Sequence, residues 1–220
     1  VFWYQISLSP QEAQALAYRW ALVPLRYTDP AWAVAHGLNP HDYLPFLTNT
    51  FMHGGWAHIV GNMWTLWLFG SAVEDRLGHG RFLAYYLLSG LAASWTHYLF
   101  NATSAVPALG ASGAIAGVIA GYAMLFPHAR ILFMVPILFV PFFFDLPALV
   151  WAALWYLLQV FQGTLGLLRP GLGAGIAWWA HIGGFVAGGL MMLLLRRRIR
   201  ARPYYRDETR LGYGPGGERS

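Results

Sequence analysis

The sequence predicts an all-α, polytopic membrane protein, and three observations carry that prediction. The 220-residue chain is 57% hydrophobic and only 10% charged, against about 25% charged residues in an ordinary soluble domain, and its mean hydropathy is +0.45. Long, nearly uncharged stretches recur at 54–73, 82–106, 108–127, 131–168 and 171–195; the first three are each close to the ~20 residues that cross a bilayer. The densest basic cluster, "RRRIRAR" (Arg196–Arg202), directly follows the last stretch, which makes that end cytoplasmic under the positive-inside rule.

Threading the chain backwards from this anchor puts His128 and Arg130 inside, the 101–111 loop outside, and Arg76 and Arg81 inside. Segment 9–50 is then a first outer loop with balanced charge, Arg19 and Arg26 against Glu12, Asp29 and Asp42. Its aromatic residues (Tyr18, Trp20, Tyr27, Trp32, Tyr43) suit the headgroup region. The opening "VFWYQISL" is apolar but too short to span. It reads as the last turns of a first transmembrane helix, so that six helices are expected, five of them complete. The 131–168 stretch is broken by Pro136, Pro141 and Pro147, which predicts an irregular approach followed by a helix from about 147 to 162. One membrane domain is expected over 1–202, followed by a disordered cytoplasmic tail at 203–220, rich in glycine and charge. The net charge of +5 thus reads as a topology anchor rather than a nucleic-acid footprint. A bacterial inner membrane is the expected location.

The chain has no cysteine, which removes disulfides, thiolate catalysis and cysteine–metal sites. It carries no phosphate loop, dinucleotide fingerprint or repeat, and no cofactor is expected. In hydrocarbon, the informative side chains are the polar ones, because each must be satisfied internally or serve a function. Ser112 opens "SGAIAGVIAGYAML", in which Gly113, Gly117 and Gly121 recur every four residues. A helix from Gly113 to Phe126 rises roughly 21 Å, short of the ~30 Å hydrocarbon thickness. Ser112 therefore lies below the outer surface, at a helix N-terminus whose free N–H groups and partial positive charge suit an oxyanion.

His181 lies in "WWAHIGGFVAGG" beside a second small-residue stripe, Ala180, Gly184 and Gly188. Two such stripes pack backbone against backbone, which brings Ser112 and His181 to matched depth, with an imidazole able to take the serine proton near neutral pH. His58 and Asn62 are four apart and share a helix face; both can donate hydrogen bonds to a developing oxyanion. His53 and His58 are five apart with no glutamate between them, which excludes a zincin motif; His53 is assigned to ordering its loop. A polar helix–helix contact accounts for any one of these residues taken alone. No carboxylate is placed to orient His181: Glu74, Asp75 and Asp145 all fall at the cytoplasmic end. The predicted chemistry is a dyad rather than a triad.

In these motifs the chain resembles the rhomboid intramembrane serine proteases from about residue 40 to 195. The matching elements are H-x4-H-x3-N (His53, His58, Asn62), E-x-x-x-G (Glu74 to Gly78), G-x-S-G (Gly110 to Gly113) and A-H-x-x-G-x-x-x-G (Ala180, His181, Gly184, Gly188). The resemblance implies a six-helix bundle, with Ser112 as nucleophile and His181 as general base and acid. It implies an oxyanion hole of His58, Asn62 and backbone N–H groups including that of Ser112, with no metal. Gly110, Gly113, Gly117, Gly121, Ala180, Gly184 and Gly188 would support the site by close packing. Substrates would be single-pass transmembrane proteins entering from the bilayer beside the fifth helix and a mobile loop at about 163–174. A Trp-Arg pair found in the first loop of some bacterial members is replaced by Arg19-Trp20 in reversed order. The alternative within the same fold is a catalytically inactive protein that binds transmembrane helices.

Overall fold

The computed structural model describes residues 1–168 and 177–195. The N-terminal part is a chain of short helices: α1 (Phe2–Ile6), α2 (Pro10–Trp20), α3 (Leu25–Thr28), α4 (Pro30–Ala35) and α5 (Pro45–Thr48), ending in a 3-10 turn at Asn49–Phe51. Segment 9–50 is thus a folded helical layer. α2 starts where a capping box predicts it should. The Ser9 hydroxyl accepts from the Glu12 N–H while the Glu12 carboxylate accepts from the Ser9 N–H, and these bonds hold the Glu12 carboxyl below its ordinary range. The layer is tied down by Arg26, which is buried and bonds Asp42 at 3.1 Å and the Asn39 carbonyl at 2.8 Å.

The first long helical stretch begins as α6 (Trp56–Thr65), passes through a π-helical turn at Leu66–Gly70 and continues as α7 (Ser71–Leu77). It stops at Gly78, whose φ of +80° is a left-handed conformation that favours glycine, and whose N–H bonds the Glu74 carbonyl at 2.7 Å. This gives the E-x-x-x-G element its local role as a helix stop. α8 (His79–Phe100) follows, then α9 (Ser112–Leu125), a hairpin of β1 (Arg130–Ile137) and β2 (Val140–Pro147), α10 (Ala148–Leu168) and α11 (Trp178–Leu195). α10 and α11 are long and apolar enough to cross a membrane. Bulky apolar side chains lie bare on the outside of the bundle, among them Trp64, Trp67, Leu157, Phe161 and Leu194. A soluble domain would cover such a surface; a bilayer solvates it.

α9 is the axis of the assembly, with ten of its 14 residues buried. The glycine stripes explain why. A Cβ built on Gly184 would fall on the Gly113 carbonyl, and one on Gly188 would come within 2.7 Å of the Gly117 oxygen. On the other side of α9, a Cβ on Gly113 would stand 2.5 Å from Ala93 Cβ, and one on Gly117 would overlap Ser89. Gly121 instead faces the Tyr85 hydroxyl and Met192. With no room for even a methyl group, α8 and α11 close on α9 from two sides, as small-residue packing in membranes requires. The Tyr85 hydroxyl donates to the Gly117 carbonyl at 2.5 Å and ties α8 to the same seam.

Three expectations change. The proline-broken segment is an antiparallel hairpin in which Pro136 pairs with Pro141, so the fold is mainly helical rather than wholly so. Aromatic and β-branched residues on both strands favour extended backbone, the facing prolines keep the helix from forming, and Leu138 and Phe139 make the turn with positive φ. The fifth helix runs to Leu168 rather than about 162. Gly163 and Gly166, expected in a loop, are therefore helical; a Cβ on Gly163 would sit 3.3 Å from the Trp179 ring, so close packing explains that glycine. The rest of the expected 163–174 loop, the Arg196–Arg202 cluster and the 203–220 tail lie outside the described residues.

Candidate active site

Ser112 is the first residue of α9, and the chain leading to it is held by backbone. Leu22 and Ala108 form a two-way β-bridge at 2.9 and 2.8 Å, and the Gly110 N–H donates to the Asn49 carbonyl at 2.9 Å. Asn49 is itself fixed: its buried amide donates to the carbonyls of Pro45 and Phe46 and to the Ser94 hydroxyl, at 2.6 to 2.9 Å. Gly110 has φ +127°, a conformation open to glycine and costly for other residues. It turns the chain from this anchored strand into the helix.

The glycine seam fixes the depth of α11 against α9, and the result at the end where α9 begins is direct. Ser112 Oγ and His181 Nε2 are 2.8 Å apart. The other ring nitrogen, Nδ1, lies 2.8 Å from Gln159 Oε1 on α10. Gln159 is buried, and its Nε2 donates to the Trp155 carbonyl at 3.3 Å. The imidazole is flanked by Trp155 at 5.9 Å and edge-on by Trp178 at 6.2 Å.

His58 and Asn62 come from α6 (one turn apart) and meet the chain at Gly110. A Cβ on Gly110 would stand 2.6 Å from His58 Nε2 and 3.7 Å from Asn62 Nδ2, so both side chains close over the turn that delivers Ser112. His58 Nδ1 accepts the Gly54 N–H at 3.3 Å. In the neutral ring this leaves the proton on Nε2, making that atom a donor. Asn62 Nδ2 is buried with no acceptor among the described residues. A buried donor left unmatched is costly, and here it points toward the turn before Ser112. Arriving negative charge would satisfy it. His53 stands behind His58, ring centroids 5.2 Å apart. Its backbone N–H and carbonyl bond the Gln5 side chain at 3.2 and 3.3 Å. Beside Ser112 lies a small cavity of about 20 Å³, lined in part by Asn49, Ser94 and His97, room for about one water.

Every site residue named from the sequence thus falls at the α9–α11 seam or at the α6–Gly110 contact. Gln159 was missed. Its signal was present: one of only two amides in the apolar run of α10, "ALVWAALWYLLQVFQGTLGLL". An amide in that role has no spacing signature, whereas the usual partner of a catalytic histidine is a carboxylate. Among the described residues no carboxylate takes that place: Asp145 pairs with Arg130 across the hairpin, and Glu74 with His79 at 2.8 Å. No cluster of three or more His, Cys, Asp or Glu residues suited to a metal occurs among the described residues.

Fold and site together define a mainly helical membrane protein in which a serine and a histidine are hydrogen-bonded across two tightly packed helices. The chain belongs to the rhomboid family: the profile described as Rhomboid domain matches residues 40–198. It is 34% identical over 152 residues to Rhomboid protein 1, mitochondrial, of Saccharomyces cerevisiae, covering 67% of this chain and 40% of that protein. It is 36% identical over 101 residues to the human Presenilin-associated rhomboid-like protein, mitochondrial (45% and 26% covered). It is 45% identical over 71 residues to Rhomboid protease GluP of Bacillus subtilis (32% and 13% covered). The chain matches less than half the length of each of these relatives. They come from mitochondria as well as from a bacterium, so they do not support a bacterial inner membrane in particular.

Proposed function

We propose that the chain is an intramembrane serine endopeptidase that cuts transmembrane segments of membrane-protein substrates with a Ser112–His181 dyad. The observation that carries this reading is the 2.8 Å contact between Ser112 Oγ and His181 Nε2. Ser112 Oγ attacks the scissile carbonyl carbon while its proton passes to Nε2. His58 Nε2–H, the unmatched Asn62 Nδ2–H and the free N–H groups opening α9 supply the donors to the oxyanion; the approach of His58 and Asn62 to Gly110 supports that role. His181 then returns the proton to the leaving amine, and a water deprotonated by the same imidazole attacks the acyl-serine and releases the second product. The membrane supplies the substrate class. α9 is 14 residues long, roughly 21 Å, so a serine at its start lies within the ~30 Å hydrocarbon layer when the other end reaches the inner boundary. Single-pass proteins whose helices unwind near the outer leaflet fit a site at that depth.

The test is cleavage of a reconstituted transmembrane substrate, together with labelling of Ser112 by a fluorophosphonate. Ser112→Ala and His181→Ala are each expected to abolish cleavage with the fold intact. Undiminished cleavage in either variant refutes the dyad. A well-folded wild-type protein that neither labels nor cleaves would be the inactive helix-binding member of the family instead.

A further inference from the structure

We propose that Gln159 is a positioning residue for His181, a neutral third member of the site that fixes the imidazole tautomer from α10. The inference rests on the dyad reading above and goes beyond it, because a serine–histidine pair by itself leaves the histidine proton unassigned.

The assignment follows from donors and acceptors. The Trp155 carbonyl can only accept, so the Gln159 amide must turn its NH₂ toward that carbonyl (3.3 Å) and its oxygen toward His181 (2.8 Å). An amide oxygen can only accept, so His181 Nδ1 must carry the hydrogen. In the neutral ring, Nε2 is then a bare lone pair aimed at Ser112 Oγ, 2.8 Å away. This is the one tautomer able to receive the serine proton. With the acceptor removed, the Nδ1–H form would bury an unmatched donor, and the ring would gain by moving its proton to Nε2 and donating to Ser112 instead. That form cannot act as the base.

The placement on α10 adds to the argument. Leu154, Leu157, Leu158 and Phe161 on that helix are all more than half exposed, whereas Gln159 is 4% exposed. The buried positions of α10 are Ala148, Ala152, Gln159 and Gly163, three small residues and one amide. A long polar side chain in such a stripe costs desolvation and needs a partner. Its oxygen has one in His181. A carboxylate there would give a stronger bond to the imidazolium at the cost of a charge buried in hydrocarbon. The amide keeps the geometry without the charge. Among the described residues, the titratable groups whose charge reaches His181 are His58 and His97, and neither bonds its Nδ1.

The test uses the full chain in liposomes with two variants, Gln159→Met and Gln159→Glu. Methionine keeps the length and bulk of the side chain and removes the acceptor; glutamate keeps the acceptor. Gln159→Met is expected to lower kcat and the fluorophosphonate labelling rate about 10- to 100-fold, with KM changed less than about threefold. Gln159→Glu is expected to retain activity, with the acid limb of its pH–rate profile displaced to higher pH. Nitrogen NMR of His181 should show Nδ1–H in the wild type and its loss in Gln159→Met. Wild-type rates in Gln159→Met, or an Nδ1 lacking its proton in the wild type, would overturn the role of Gln159 while leaving the dyad standing. Failure of wild-type Ser112 to label would overturn both. Equal losses in the two variants with unshifted pH profiles would mark a packing residue and refute the proposal.

Discussion

Replacing Gly184 by alanine is the sharpest test of the idea that the glycine seam sets the catalytic distance. The new Cβ would fall on the Gly113 carbonyl oxygen and lie 2.8 Å from the Gly113 carbonyl carbon. Carbon atoms pack at about 3.5–4.0 Å, and the overlap with the oxygen is tighter still, so α9 and α11 must separate by at least about 1 Å. Ser112 is next to Gly113, and His181 is three residues before Gly184 on the same helix. The same displacement would stretch the 2.8 Å serine–histidine contact to about 3.8 Å, beyond hydrogen-bond range. A misplacement of that size costs on the order of 100-fold in rate. Stability should change less, because overpacking of about 1–3 kcal/mol is offset by up to about 1 kcal/mol of gained helix propensity. The assay is the initial rate of transmembrane-substrate cleavage together with Ser112 labelling and a thermal midpoint in detergent. Gly61→Ala is the control, since nothing lies within 4 Å of a Cβ there, and it should cleave like the wild type. A folded Gly184→Ala protein cleaving within about threefold of the wild-type rate would refute the reasoning.

Two further outcomes follow from the geometry. His58→Ala and Asn62→Ala should each lower kcat by about 10²–10³ with little change in KM, measured by steady-state cleavage; a loss confined to KM would make them substrate-binding groups instead. At alkaline pH, Tyr27 should weaken the N-terminal layer. Its hydroxyl donates to the Asp42 carbonyl at 3.1 Å, and burial pushes its phenol up to about 12. The unfolded phenol ionises near pH 10, so the unfolded chain loses its proton first, and stability falls as pH rises from about 10 to about 12. The thermal midpoint of the wild type should drop over that range more steeply than that of Tyr27→Phe; parallel curves would contradict the assignment.

The sequence by itself determined the medium and singled out the serine and histidine that meet across α9 and α11. A chain this apolar can bury its charge-free stretches only in lipid, and a polar side chain in such a stretch stands out because lipid cannot satisfy it. That argument finds Ser112, His181, His58 and Asn62 without coordinates, and the spacing of the two glycine stripes predicts which helices must touch. The same argument could have found Gln159, but nothing in the spacing relates a residue on α10 to one on α11 across residues 169–176. That pairing was decided only by the tertiary structure. So were the β-hairpin at 130–147, where proline spacing signals a broken helix without saying what replaces it, and the helical layer at 9–50, whose short elements lack a long apolar period. Local patterns report what each segment must avoid in its solvent. Which donor meets which acceptor is settled by packing between helices distant in the chain, and that is why the proton on His181 could be assigned only once α10 was seen beside it.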